Sequence, residues 1–192
     1  MITNIYFVRH AEPDYSIHDD EKRPLSNKGE LDAQKVADFF KDKSIEVVLS
    51  SPYKRALDTV KPLAENFGLR IETIYEFRER KVDDCWVEDF IDFSKKQWEN
   101  FNYKLSNGES LFEVQSRNIT ALKATLKKYA GKNIIVGSHG TSLSTIINYY
   151  DPNYSYDDFE RIISIMPWIV KFTFENNALK SIIEIDNLEV AL

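Results

Sequence analysis

Two arginines and two histidines fall at places in this 192-residue chain where their chemistry can be combined. Arg9-His10 closes the apolar run Ile5-Tyr6-Phe7-Val8, and Ser50-Ser51-Pro52-Tyr53-Lys54-Arg55 follows Val47-Val48-Leu49. Gly137-Ser138-His139-Gly140 follows Ile134-Ile135-Val136, so two of the three histidines lie just after apolar runs. Further on, Arg70 to Ile74 leads into Tyr75-Glu76-Phe77-Arg78-Glu79-Arg80, which adds carboxylates and guanidinium groups. Such a set suits phosphoryl transfer, where catalysis is mainly positioning plus electrostatic stabilisation of a highly charged group. Arginine offers planar multidentate contacts to phosphate oxygens. A neutral imidazole can attack phosphorus, and neighbouring cations favour the neutral form. A carboxyl group held protonated can then donate to the leaving oxygen.

These residues need a scaffold that brings distant segments to one edge. The three apolar runs read as strands buried on both faces, as in a parallel sheet. Between them, Ala33, Val36, Ala37 and Phe40 recur at helical spacing. Ala56, Leu57, Val60, Leu63, Ala64 and Phe67 do the same, with Gly68 as a stop. Ser51-Pro52 is expected to open that second helix and aim backbone N–H groups at the site. Ser110 with Glu113 forms a capping-box pattern for a helix running to Gly131. Trp168 to Phe174 and Leu179 to Ile185 read as a terminal hairpin across Glu175-Asn176-Asn177-Ala178. Alternating strands and helices imply right-handed crossovers, hence an α/β chain folded as a three-layer α/β/α sandwich with a mostly parallel central sheet. Ligands of such sheets bind beyond the carboxyl ends of the strands, where the singled-out residues fall.

Phe7-Val8-Arg9-His10-Ala11-Glu12 resembles the Arg-His-x-Glu signature of the histidine phosphatase superfamily, the phosphoglycerate mutase-like proteins. Pro24-Leu25-Ser26-Asn27-Lys28-Gly29, Ser50 to Ala56 and Gly137 to Gly140 follow in the order of that family, so the resemblance spans Ile5 to Leu143. It implies a phosphoglycerate mutase-like fold and His10 as a nucleophile that becomes phosphohistidine, with Arg9, Arg55 and His139 holding the phosphoryl group. Glu79 matches the acid/base glutamate, with Glu76 three residues earlier as a competitor. Arg80 and Gly140 are expected at the substrate. The glycine that often follows this last motif is absent from Lys81-Val82-Asp83-Asp84.

Composition narrows the field. Lys and Arg number 25 against 31 Asp and Glu, a net charge of −6, which argues against nonspecific nucleic-acid binding. Cys85 is the one cysteine, so a disulfide framework and a Cys-based zinc site are excluded; beside Asp83 and Asp84 it reads as structural. No apolar run approaches the ~20 residues that cross a bilayer, and Met1-Ile2-Thr3-Asn4 lacks signal-peptide character, so a cytoplasmic protein with no membrane partner is expected. The chain reads as one domain over 1–192, and the resemblance implies a small helical cap insertion at about 83–107. That insertion carries Trp86, Phe90, Phe93, Trp98, Phe101 and Tyr103, rings that either pack the helix or line the pocket. His18 reads as a solvated loop residue, and Lys22 and Arg23 read equally as pocket border or solvated charge.

The expectation that follows is a phosphoric monoester hydrolase needing no metal or cofactor, acting on a small phosphorylated metabolite through His10. Mutase-type transfer, dephosphorylation of protein phosphohistidine and noncatalytic phospholigand binding are the alternatives. No His-x-His or His-Glu-x-x-His spacing supports a metallohydrolase. An open edge of the terminal hairpin leaves a homodimer as an expectation of assembly.

Overall fold

The computed structural model describes residues 1–84 and 87–185. Cys85 and Trp86, assigned above to structural and cap roles, lie outside the described residues, as do 186–192.

The apolar runs form the middle of a six-stranded sheet with the order β3-β2-β4-β1-β5-β6. The strands are β1 (Ile2–Arg9), β2 (Val47–Ser50), β3 (Ile71–Thr73), β4 (Asn133–Ser138), β5 (Trp168–Glu175) and β6 (Ala178–Ile185). β1 to β4 are mutually parallel where they pair, and β5 and β6 add antiparallel strands on the far side of β1. Successive side chains on a strand face opposite ways, so each run feeds two cores. Ile5, Phe7, Ile134 and Val136 join one cluster with Val170, Phe172 and Phe174. Tyr6, Val8, Ile135 and Val48 join the other. An uninterrupted apolar run is what a strand covered on both faces requires.

The covering helices are α1 (Asn27–Phe40) and α2 (Lys54–Asn66), whose Val36, Ala37, Phe40, Val60 and Leu63 fill the second cluster. On the opposite face lie α4 (Leu111–Lys128), α5 (Gly140–Tyr150) and α6 (Tyr156–Ile162), which bring Leu122, Leu126, Ile146 and Phe159 to the first. The expected α/β/α sandwich is therefore present. Ser110 caps α4 in the reciprocal arrangement with Glu113. The second helix departs from expectation. It begins at Lys54 behind Tyr53, and Ser51 and Pro52 remain in the connection, where Ser51 N–H bonds the Gly137 carbonyl at 2.8 Å.

β5 and β6 form the expected hairpin. Asn176 and Asn177 sit at its turn with φ of 49° and 68°, the left-handed geometry that a two-residue turn asks for and asparagine tolerates. In the segment expected to be a cap, α3 (Phe90–Glu99) is the helix. Its Trp98 packs on Phe101, Tyr154 and Phe159, and its Phe93 on Tyr103. No helix among the described residues is long and apolar enough to cross a membrane.

Candidate active site

The strand order places β4 between β1 and β2, and the two parallel registers set Arg9 of β1 opposite Ser138 and Ser50 of β2 opposite Gly137. The residues that follow these pairs are therefore neighbours without further arrangement. His10 N–H continues the ladder to the Ser138 carbonyl at 3.0 Å. The His10 and His139 rings meet edge to face, with centroids 5.3 Å apart. This is the crevice at a reversal of strand order, the usual ligand position in open α/β sheets.

His10 is 6% exposed. Its Nδ1 donates to the Ala11 carbonyl at 2.8 Å, so in the neutral ring Nε2 is the unprotonated nitrogen. Burial, followed by the charges of Arg55 and Arg9, pushes its pKa well below the ordinary 6.5. His139 is fully buried and is likewise pushed well down, by burial and then by Arg55 and His10. Its Nε2 meets Ser51 Oγ at 2.8 Å, and its Nδ1 has no hydrogen-bond partner among the described residues. A neutral imidazole keeps the lone pair of its unprotonated nitrogen available for nucleophilic attack.

The guanidinium groups are held by backbone. Arg9 donates to the carbonyls of Ile162, Ile163 and Ile165 at the end of α6, with 3.0 Å to each of the latter two. Guanidinium groups commonly satisfy such helix-end carbonyls. Arg9 Nε has no partner among the described residues. Gly140 lets Arg9 approach closely: a Cβ on it would stand 3.2 Å from Arg9 Cζ and Nε, a tight contact. Arg55, in the first turn of α2, bonds the Asp20 carbonyl, lies 3.2 Å from the Asp20 carboxylate and stacks over Tyr53.

Glu79 sits against the start of α5. Its carboxylate accepts from the N–H groups of Arg80, Thr141 and Ser142 at 2.7, 3.0 and 3.2 Å. The free N–H groups at the start of the helix fix the position of the two carboxylate oxygens. Glu76 is exposed on a short 3₁₀ turn, Tyr75–Phe77. Arg80 is buried beneath α3, bonded to the neutral groups of Gln97 and Ser94 and flanked by Phe90 and Phe93. Burial lowers it to about 10, which leaves it cationic at neutral pH.

Arg9, His10, Arg55, Glu79 and Arg80 all line one cavity of about 880 Å³. His139 and Gly140 lie behind its wall, and Thr141 stands on it instead. Val87 and Phe90 line it from the segment around α3, whereas Trp98 and Phe93 pack into the protein. Of the two ambiguous cations, Arg23 is the one at the cavity, buried and bonded to the Ile17 carbonyl and Asp20; the Lys22 side chain is 83% exposed. His18 lies at the rim, exposed as expected of a loop residue.

Some supporting groups escape a reading by strand ends. Thr59 accepts from Ala11 N–H at 2.9 Å and donates to the Arg55 carbonyl at 2.7 Å, tying the loop after His10 to α2. Its spacing of four from Arg55, one helical turn on the same face, was the available signal. The Pro24 to Gly29 motif proves to be a brace. Ser26 Oγ donates to Glu12 at 2.7 Å, Ser26 N–H to the Glu12 carbonyl at 2.9 Å, and Ser26 caps α1 by accepting from Gly29 N–H.

Comparison with known proteins agrees with this geometry. The family model of the histidine phosphatase superfamily (branch 1) matches residues 5–180. The uncharacterised phosphatase PhoE of Bacillus subtilis (strain 168) is 26% identical over 150 residues, covering 76% of each chain. Phosphoglycerate mutase-like protein 4 of Arabidopsis thaliana is 30% identical over 164 residues, 78% of this chain and 71% of its own. Among solved structures, a phosphoserine phosphatase of Entamoeba histolytica superposes with a TM-score of 0.76 at 21% identity, covering 94% of this chain and 96% of its own, a likeness of fold. With nearly its whole length matched and the paired-histidine crevice in place, the chain belongs to branch 1 of the histidine phosphatase superfamily and is an enzyme of the phosphatase type.

Proposed function

We propose that this enzyme hydrolyses a small phosphomonoester without a metal ion, through a covalent phosphohistidine at His10. The observation that carries the reading is the buried, neutral His10 ring with Nδ1 committed to the Ala11 carbonyl, facing a cavity shared with Arg55 and Glu79. Nε2 forms a bond to phosphorus as the bond to the leaving oxygen breaks, and Glu79 gives that oxygen a proton. A water oxygen then bonds to phosphorus, Glu79 takes the water proton, and the phosphorus–nitrogen bond breaks to release phosphate and free His10. Arg55 and Arg9 are the donors assigned to the phosphoryl oxygens, Arg9 through an Nε that lacks another partner among the described residues, while His139, behind the cavity wall, backs the His10 ring. Arg80 faces the rest of the substrate, and the segment around α3 serves as the cap.

The Entamoeba relative in fold is a phosphoserine phosphatase and the Arabidopsis relative is mutase-like, which keeps the substrate class at small phosphorylated metabolites.

The test is hydrolysis of 4-nitrophenyl phosphate in excess chelator. We expect turnover that vanadate blocks and that His10→Ala lowers by roughly 10³-fold or more, with acid-labile phosphate trapped on the parent protein alone. Turnover that survives His10→Ala, or that chelation removes, would overturn the reading.

A further inference from the structure

Glu79 lies on a stretch that has no ladder of its own, because residues 78–84 form neither helix nor strand. Backbone of that kind is placed by bonds from outside. Arg117, in the middle of α4, supplies them. Its Nη1 donates to the carbonyls of Glu76 and Arg78, and its Nη2 donates to the carbonyl of Glu79 at 3.2 Å. The other edge of the same guanidinium meets Glu109 at two points, Nε to Oε1 at 2.8 Å and Nη2 to Oε2 at 3.0 Å. Glu109 reaches the same stretch directly. It accepts from Arg78 Nη2 at 2.8 Å and from Lys81 N–H at 3.0 Å, and its own N–H donates to the Lys81 carbonyl at 2.8 Å.

The chain is thus gripped at residues 76, 78, 79 and 81, on both sides of the glutamate. A guanidinium can do this because its five donors lie in one rigid plane, which the point charge of a lysine cannot match. The pair is well shielded, with side-chain exposures of 12% and 16%. Burial opposes ionisation of Glu109, but bonds and charge from Arg117, the Lys81 N–H and Arg78 outweigh it and hold its pKa below the ordinary carboxylate value. Both side chains lie outside the cavity wall, so neither can touch substrate there. Their contacts converge on the one residue assigned to move protons.

We propose that Arg117 and Glu109 are a positioning pair that sets the reach of the Glu79 carboxyl to the leaving oxygen and to the attacking water. The inference rests on Glu79 being the proton carrier of the proposed function. It separates two parts of the reaction. Attack by His10 on a phosphoryl group with a good leaving group needs no proton and should ignore the pair. Departure of a poor leaving group needs the proton and should depend on it.

Three quantities test this in the full chain carrying Arg117→Lys, Glu109→Gln or Glu79→Gln. They are the pre-steady-state burst of 4-nitrophenolate, steady-state turnover of a simple alkyl phosphate, and the dissociation constant of vanadate. We expect Arg117→Lys to cut alkyl phosphate turnover by about 10- to 100-fold, with burst rate and vanadate affinity within about threefold of the parent. The milder Glu109→Gln, which keeps the shape of the side chain, should follow in the same direction by about 3- to 10-fold. Alkyl turnover at the parent level, or a parallel fall of turnover, burst and vanadate affinity, would overturn the positioning role. If Glu79→Gln itself left the ratio of alkyl to aryl rates unchanged, the assignment of Glu79 would fail and the pair with it. A changed ratio in Glu79→Gln beside an unchanged one in Arg117→Lys would sink the pair alone.

Discussion

The protonation state of His10 is set by three local facts: burial, two guanidinium neighbours and a carbonyl that fixes its tautomer. Each acts on the equilibrium between imidazolium and imidazole, and the first two act in one direction. In the ligand-free protein we expect the His10 ring to titrate well below the ordinary 6.5 by NMR, and Arg55→Gln to raise that midpoint, since one of the depressing charges is removed. A midpoint at or above 6.5 in the parent would contradict the burial that the structure gives this ring. The residues gathered at the crevice were legible as a set, because Arg9, His10, Arg55 and His139 all come at or just after apolar runs that form strands, whereas a lone histidine after a strand would have signalled little. Arg117 was not. A lone arginine in mid-helix looks like any solvated charge, and only the fold reveals that the carbonyls of residues 76, 78 and 79 lie across from it.

The elements show the same division. Apolar runs foretold strands and the serine at 110 foretold a helix start, because those signals are local. The start of α2 was misplaced by a few residues: Ser51 is spent on the Gly137 carbonyl and on His139, a tertiary demand that a local pattern does not carry. The short α6 had no clear apolar stripe, and its end is defined by Arg9, some 150 positions away in sequence. The joint between α1 and the loop after β1 yields an element-scale expectation. A Cβ on Gly29 would stand 2.1 Å from the Glu12 carbonyl oxygen, so something must move. Gly29→Ala should cost about 1–3 kcal/mol, seen as a lower urea midpoint, with activity falling as Glu12 is displaced. A variant as stable and active as the parent would show that the loop gives way freely.

For the whole molecule, two buried neutral histidines at one crevice link folding to acidity. In the unfolded chain both rings take up protons near the ordinary 6.5, whereas in the folded chain both stay neutral to well below it. The unfolded state therefore binds more protons once pH falls below that value, and stability must fall with it. The loss should approach roughly 1.4 kcal/mol per histidine for each pH unit until the folded values are reached. Urea titrations at pH 6.5 and 5.5 check the slope, which His10→Asn with His139→Asn should flatten; an equal slope in that variant would locate the acid sensitivity elsewhere.

The position of β1 between β4 and β5 has a consequence in time. Asn4 pairs with Asn133 and Thr173, so the first of these strands to be made must wait for residue 133 before either flank is covered. Contacts of such long range make folding slow relative to helical proteins of similar size. Until β4 arrives, Ile5 to Val8 is an apolar ribbon with both edges open, the kind of segment that seeks partners in other chains. The arrangement that sets His10 beside His139 also ensures that no amino-terminal piece ending before β4 can assemble this crevice, and that the nascent chain is at its most vulnerable while one of the two histidines is already made.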